Sequence, residues 1–128
     1  MAVLGIGGLF FRARDPEALA SWYREHLNVG AGCAADGASE GDEYSWMTRG
    51  GPVVFAPFGA DTEYFPSDKA FMLNLRVAGL ADLIDRLTSA GIAVETRDEW
   101  NDPNVGRFAR IHDPEGNPIE LWEPPKAI

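Results

Sequence analysis

Apolar residues recur on two periods along this chain, and the changes of period mark its elements. Residues 4–13, LGIGGLFFRA, are extended and apolar, and read as a strand. Asp15-Pro16 then opens a helix, with Asp as N-cap and Pro at the first helical position. Leu19, Trp22, Tyr23, His26 and Leu27 fall at i, i+3, i+4, i+7 and i+8, a single stripe that must be buried, and Gly30 is placed as its left-handed terminator. Residues 31–43 are small, polar and acidic and read as a loop. Residues 44–48 and 52–58 are rich in β-formers and flank Arg49-Gly50-Gly51, a turn of the kind that closes a hairpin. Residues 59–69 form a loop with two aromatics, Tyr64 and Phe65.

The second half starts again with a strand. In residues 71–77, FMLNLRV, Phe71, Leu73, Leu75 and Val77 alternate with Met72, Asn74 and Arg76, so the first set faces a core. Leu80, Leu83, Ile84 and Leu87 repeat the helical spacing up to Gly91. A short strand at 92–96, a polar loop at 97–106 with Trp100, and a hairpin follow. The hairpin's strands are 107–112 and 118–122, joined by Asp113-Pro114-Glu115-Gly116-Asn117.

The two halves share a register. Leu19 and Leu80, Trp22 and Leu83, Tyr23 and Ile84, Gly30 and Gly91 stand at equal separations, so helix, stripe and terminator recur. The expected architecture is α+β: a single domain over 1–128 made of two βαβββ modules, about 1–60 and 70–128. Their strands would form one curved mixed sheet with helices on the outer face and a concave pocket inside, because one short sheet alone leaves a face bare.

Period-two alternation nominates the residues that face the concavity. These are Ile6, Gly8, Phe10 and Arg12 on the first strand, Met72, Asn74 and Arg76 on the strand opening the second module, and Glu120 and Trp122 on the last. Glu120 stands out: a carboxylate between Ile119 and Leu121 is costly unless it is paired, hydrated or bound to a metal. An ion pair with Arg12 or Arg76 is one reading, metal ligation or proton transfer the other. Phe10, Trp46, Tyr64, Phe65, Trp100 and Trp122 supply flat rings that stack planar or cationic ligands without a metal. His26 lies on the helix stripe, and His112, just before the turn, is expected to point away from Glu120's face.

Charge narrows the partners. Eleven Lys and Arg against twenty Asp and Glu leave −9, with no basic cluster, which argues against nucleic acid and anionic membranes. The N-terminal apolar run reaches Arg12 well short of a membrane span, and it lacks the basic start of a signal peptide. A single cysteine, Cys33, cannot form an intramolecular disulfide and suits a reducing cytoplasm. With no adjacent base it is not expected to act as a nucleophile.

The segment Arg14-Asp15-Pro16-Glu17-Ala18-Leu19-Ala20-Ser21-Trp22-Tyr23, followed a module later by Asp113-Pro114-Glu115-Gly116-Asn117-Pro118-Ile119-Glu120-Leu121-Trp122-Glu123-Pro124, resembles the vicinal oxygen chelate superfamily. That group includes glyoxalase I, extradiol dioxygenases and bleomycin-resistance proteins. The resemblance implies paired βαβββ modules, frequent homodimers, and a divalent metal held by side chains on matching strands. Glu120 matches the last ligand. The first-strand positions fall on Gly8 and Met72, which are poor ligands for a hard metal, and residues 53–58 hold no Asp, Glu or His. The expected function is therefore metal-independent binding or sequestration of a planar or cationic small molecule, such as a drug or natural product, as in antibiotic resistance. No cofactor is expected, and the ligand-binding residues would be Phe10, Arg12, Trp46, Met72, Asn74, Arg76, Trp100 and Trp122. The alternative is a lyase, isomerase or dioxygenase that uses a divalent metal or Glu120 itself as the catalytic group.

Overall fold

Two helices and a three-stranded sheet form where the periodicity places them. The computed structural model describes residues 3–4, 6–30 and 46–125, so the 31–43 loop with Cys33 and the start of the 44–48 strand lie outside the described residues. Helix α1 spans Pro16–Leu27, and the Asp15 side chain accepts a hydrogen bond from the Ala18 N–H at 3.1 Å. Asn28, not Gly30, is its left-handed C-cap at φ 58°, a conformation that Asn tolerates better than most residues; Gly30 follows at φ 71°. Helix α2 spans Leu80–Ser89 and closes through Gly91 at φ 84°.

The strands are β1 (Leu73–Arg76), β2 (Arg107–His112) and β3 (Pro118–Glu123). Their order is β1-β3-β2, with β3 parallel to β1 and antiparallel to β2. Leu19 and Tyr23 of α1 and Leu80 and Leu87 of α2 are buried with Leu75, Ala109, Ile111, Ile119 and Leu121 of the sheet. The last four are 0% exposed. Burial of each large aliphatic chain stabilises the fold by about 1.5–3 kcal/mol, and it also fixes which way each strand faces. With Ile119 and Leu121 held against the helices, Glu120 must point to the other side of β3.

The architecture is thus α+β, but the ladders lie in the second half. Residues 6–13 and 52–58, expected as strands, join no ladder, and the 92–96 strand is reduced to one antiparallel bridge between Glu95 and Arg110. The reason is physical: alternation makes a strand only against a neighbouring backbone, and the described residues supply none to these runs. Their apolar side chains stay in solvent, with Ile6 65%, Phe10 95% and Phe55 87% exposed.

Candidate functional site

The sheet face turned away from the helices carries a polar row. Register sets Asn74 of β1 beside Glu120 of β3, and Glu120 opposite Arg110 of β2, so one side chain from each strand meets in line. Glu120 and Arg110 are buried. Asn74 is exposed and leaves the β1 end of the row open to solvent.

Both oxygens of Glu120 are occupied. Asn74 Nδ2 donates to Oε1 at 2.7 Å, and the Tyr64 hydroxyl donates to Oε2 at 2.5 Å. The expected ion pair with Arg12 or Arg76 does not form. Arg76 donates instead to the Arg49 carbonyl at 2.9 Å, and Arg12 lines a separate hollow. Burial, the hydrogen bond to Glu120 and the charge of that carboxylate together push the Tyr64 phenol up to about 12, so it remains a proton donor at neutral pH.

Aromatic rings cover the row. Tyr64 stacks on Phe58, with centroids 5.8 Å apart, and meets Trp100 edge-on at 6.3 Å; Phe65 packs on the edge of Phe58. Two guanidinium groups already lie on these faces. Arg110 is 4.9 Å from the Tyr64 centroid and 5.6 Å from that of Trp100, and Arg97 is 5.1 Å from Trp100. Arg97 is itself held by Glu95 through donors at 2.9 and 2.7 Å, which raises its pKa. Farther along the same face, Trp122 lies nearly parallel to Phe108 at 6.2 Å, and its indole N–H donates to the Val105 carbonyl.

The residues expected to bind ligand are therefore dispersed. Asn74, Glu120 and Trp100 come together, and Trp122 sits on the same face. Trp46 and Arg76 line a hollow of about 400 Å³ between the end of α1 and the start of α2, together with Leu27, Val77 and Leu83. Arg12 lines another of about 480 Å³, with Arg14, Lys69 and Glu115. Phe10 projects into solvent and Met72, just before β1, is half-buried. These placements follow from the unpaired first strand, which sets no facing for Phe10 or Arg12. His112 is also corrected: its pairing with Pro118 puts it on Glu120's face, at the exposed turn end of β2. His26 lies on α1 against Trp22, with Nε2 3.7 Å from Glu25.

Arg110 and Phe58 are the site residues absent from the expected set, and Tyr64, expected there only as a flat ring, is also the partner of Glu120. Tyr64 reaches Glu120 by the path of its loop, which local pattern does not encode. Arg110 did carry a signal, because it sits between Ala109 and Ile111 as Glu120 sits between Ile119 and Leu121. The donor set around Glu120 does not suit a divalent ion. It offers one carboxylate occupied on both oxygens, a protonated phenol and a guanidinium, whereas such ions take about three anionic or neutral donors. Among the described residues no three His, Cys, Asp or Glu side chains converge, and no helix is long and apolar enough to cross a membrane.

A family model described as a glyoxalase-like domain matches residues 8–122. The crystal structure of TnmS3, an antibiotic binding protein from Streptomyces sp. CB03234, is 24% identical and covers 97% of this chain and 98% of its own, with a TM-score of 0.58. A glyoxalase/bleomycin resistance protein from Streptomyces sp. CB03234 is 31% identical over 42% of this chain and 46% of its own, with a TM-score of 0.36. No curated protein matches.

Proposed function

Because the chain belongs to the glyoxalase-like domain family, we propose that it binds a planar small molecule, such as a drug or natural product, and holds it without chemical conversion. The observation that carries this reading is the aromatic cover of Phe58, Tyr64, Phe65 and Trp100 over the row Asn74–Glu120–Arg110. Flat rings bind flat ligands by stacking and desolvation, while a few buried polar groups set orientation. The description of TnmS3 as an antibiotic binding protein supports a drug or natural product as the ligand. A planar ligand fits better than a cationic one, since the positive charges of Arg97 and Arg110 beside these rings repel a cation.

Metal independence is part of the proposal and is supported by the donor set around Glu120. In a lyase, isomerase or dioxygenase built on Glu120, that carboxylate would have to act while accepting one hydrogen bond from Tyr64 and one from Asn74. The proposal further takes the chain to be a cytoplasmic homodimer of paired βαβββ modules. In it the unpaired runs 6–13 and 52–58 gain neighbouring backbone and lose their exposed apolar surface, a liability in a lone sheet edge. Sedimentation would then show a species of twice 14.0 kDa.

The test is titration of a panel of planar natural products followed by tryptophan fluorescence. Saturable quenching is expected, weakened at least ~10-fold by Trp100→Ala. Absence of saturable quenching across the panel refutes ligand binding. Near-stoichiometric divalent metal in protein purified without chelators, lost in Glu120→Ala, refutes metal independence.

A further inference from the structure

Arg110 is the most unusual side chain in the described protein. It stands on the edge strand β2, paired with Glu120 on one side and bridged through both backbone hydrogen bonds to Glu95 on the other. Only 6% of it is exposed. A guanidinium so deeply placed normally faces a carboxylate, because an unpaired buried charge is costly. Here both nearby carboxylates are engaged elsewhere: Glu120 with Tyr64 and Asn74, Glu95 with Arg97. The Arg110 side chain makes one hydrogen bond, from a terminal nitrogen to the Tyr64 carbonyl at 3.0 Å. Its Nε has no acceptor and is, among the described residues, the one buried side-chain polar atom left without a partner.

Native interiors satisfy nearly all buried polar groups, through protein atoms or ordered water, so an orphaned donor beside a binding site is a place where an acceptor from outside can be held. Guanidinium suits that task. Its planar fork matches two oxygens at once and stacks on aromatic faces, as Arg110 does with Tyr64 and Trp100.

Resting on the ring-binding function above, we propose that Arg110 is the specificity-determining residue of the site and anchors an anionic or strongly accepting oxygen, a carboxylate or phenolate, on the edge of the planar ligand. To reach the buried Nε, the ligand displaces the Arg110 guanidinium from the ring faces it now covers; the ligand's ring takes that place against Tyr64 and Trp100, and its oxygen accepts the hydrogen bond that Nε lacks. The same charge, with Arg97 beside it, turns cationic ring compounds away.

Two probes that share one ring system test this: 2-naphthoate and 2-naphthylmethylammonium, titrated calorimetrically into the full chain at neutral pH. Naphthoate is expected to bind at least ~10-fold more tightly than the ammonium compound. Arg110→Met, which keeps the volume and removes the donors, should erase that preference. Arg110→Lys, which keeps the charge and loses the fork, should reduce it several-fold, and it decides the matter if the Met variant does not fold by circular dichroism. Equal or tighter binding of the ammonium compound by the unmodified protein overturns the anchor and leaves ring binding standing. So does an unchanged naphthoate preference in the folded variants. Failure of both probes to bind takes down the ring-binding function together with the anchor.

Discussion

Tyr23→Phe removes a single oxygen, and the structure says what that oxygen does. The Tyr23 hydroxyl donates to Asp113 Oδ2 at 2.7 Å, joining α1 to the turn between β2 and β3, and both residues are buried. Asp113 also accepts from the Glu115 and Asn117 N–H groups at 2.9 and 3.0 Å and from Asn117 Nδ2 at 2.8 Å. The variant therefore leaves the carboxylate with three of its four donors and no cavity. A hydrogen bond to a charged group contributes about 1.5–3 kcal/mol, and the easier burial of Phe brings the loss to the lower end, about 1.5–2 kcal/mol. Unfolding entropy of about 2.1 cal/mol/K per residue, applied to this chain, converts that to a melting temperature lower by roughly 6–7 °C. Differential scanning calorimetry measures it. In an Asp113→Asn background the same substitution should cost less, about 0.5–1 kcal/mol, since only a neutral hydrogen bond is lost. A pH signature accompanies it. Burial, then the Asp113 hydrogen bond and charge, raise the Tyr23 pKa above its ordinary value of 10.0. The unfolded phenol thus ionises first, and stability present below pH 10 falls as pH rises above it. Tyr23→Phe should remove Tyr23's part of that alkaline loss. A melting temperature within about 1 °C of the unmodified protein, or the full cost retained in Asp113→Asn, would refute the reasoning.

Gly106→Ala should lower the melting temperature by at least ~4 °C and red-shift tryptophan emission. Gly106 adopts φ 129°, and a Cβ there would meet the Glu123 carbonyl and lie 2.7 Å from Trp122 Nε1; an unchanged spectrum and melting temperature would contradict that packing. Glu115→Gln should flatten the acid limb of stability. Glu115 accepts from the Arg14 and Asp15 N–H groups at 2.7 and 2.9 Å, which lowers its pKa from 4.5. Its contribution is present above pH 4.5 and disappears as pH falls through the lowered value, so an identical acid limb in thermal melts would show the contacts to be without consequence.

Half of the candidate site could be read from pattern. Glu120 was legible because Ile119 and Leu121 flank it in a short strand, so burying them turns it to the far face whatever it meets there. Asn74 was legible in the same way from Leu73 and Leu75. The unpaired first strand shows the limit of that reasoning. Alternation in residues 4–13 assigned Phe10 and Arg12 to a pocket, yet without a neighbouring backbone neither face is a core face, and both residues lie elsewhere.

What the amino-acid order determined alone is what near neighbours decide. Asp15 and Pro16 start α1, the 3.6-residue stripes turn Leu19, Tyr23, Leu80 and Leu87 inward, and the left-handed Gly116 at φ 82° helps to shape the β2–β3 turn. Tertiary structure decided the rest. Strand register set Arg110 opposite Glu120, and the path of the 59–69 loop brought Tyr64 down on the same carboxylate in place of an arginine. Capping, turns and amphipathic stripes are settled within a few residues. The company a buried charge keeps depends on where distant segments finally lie, and no local period carries that information.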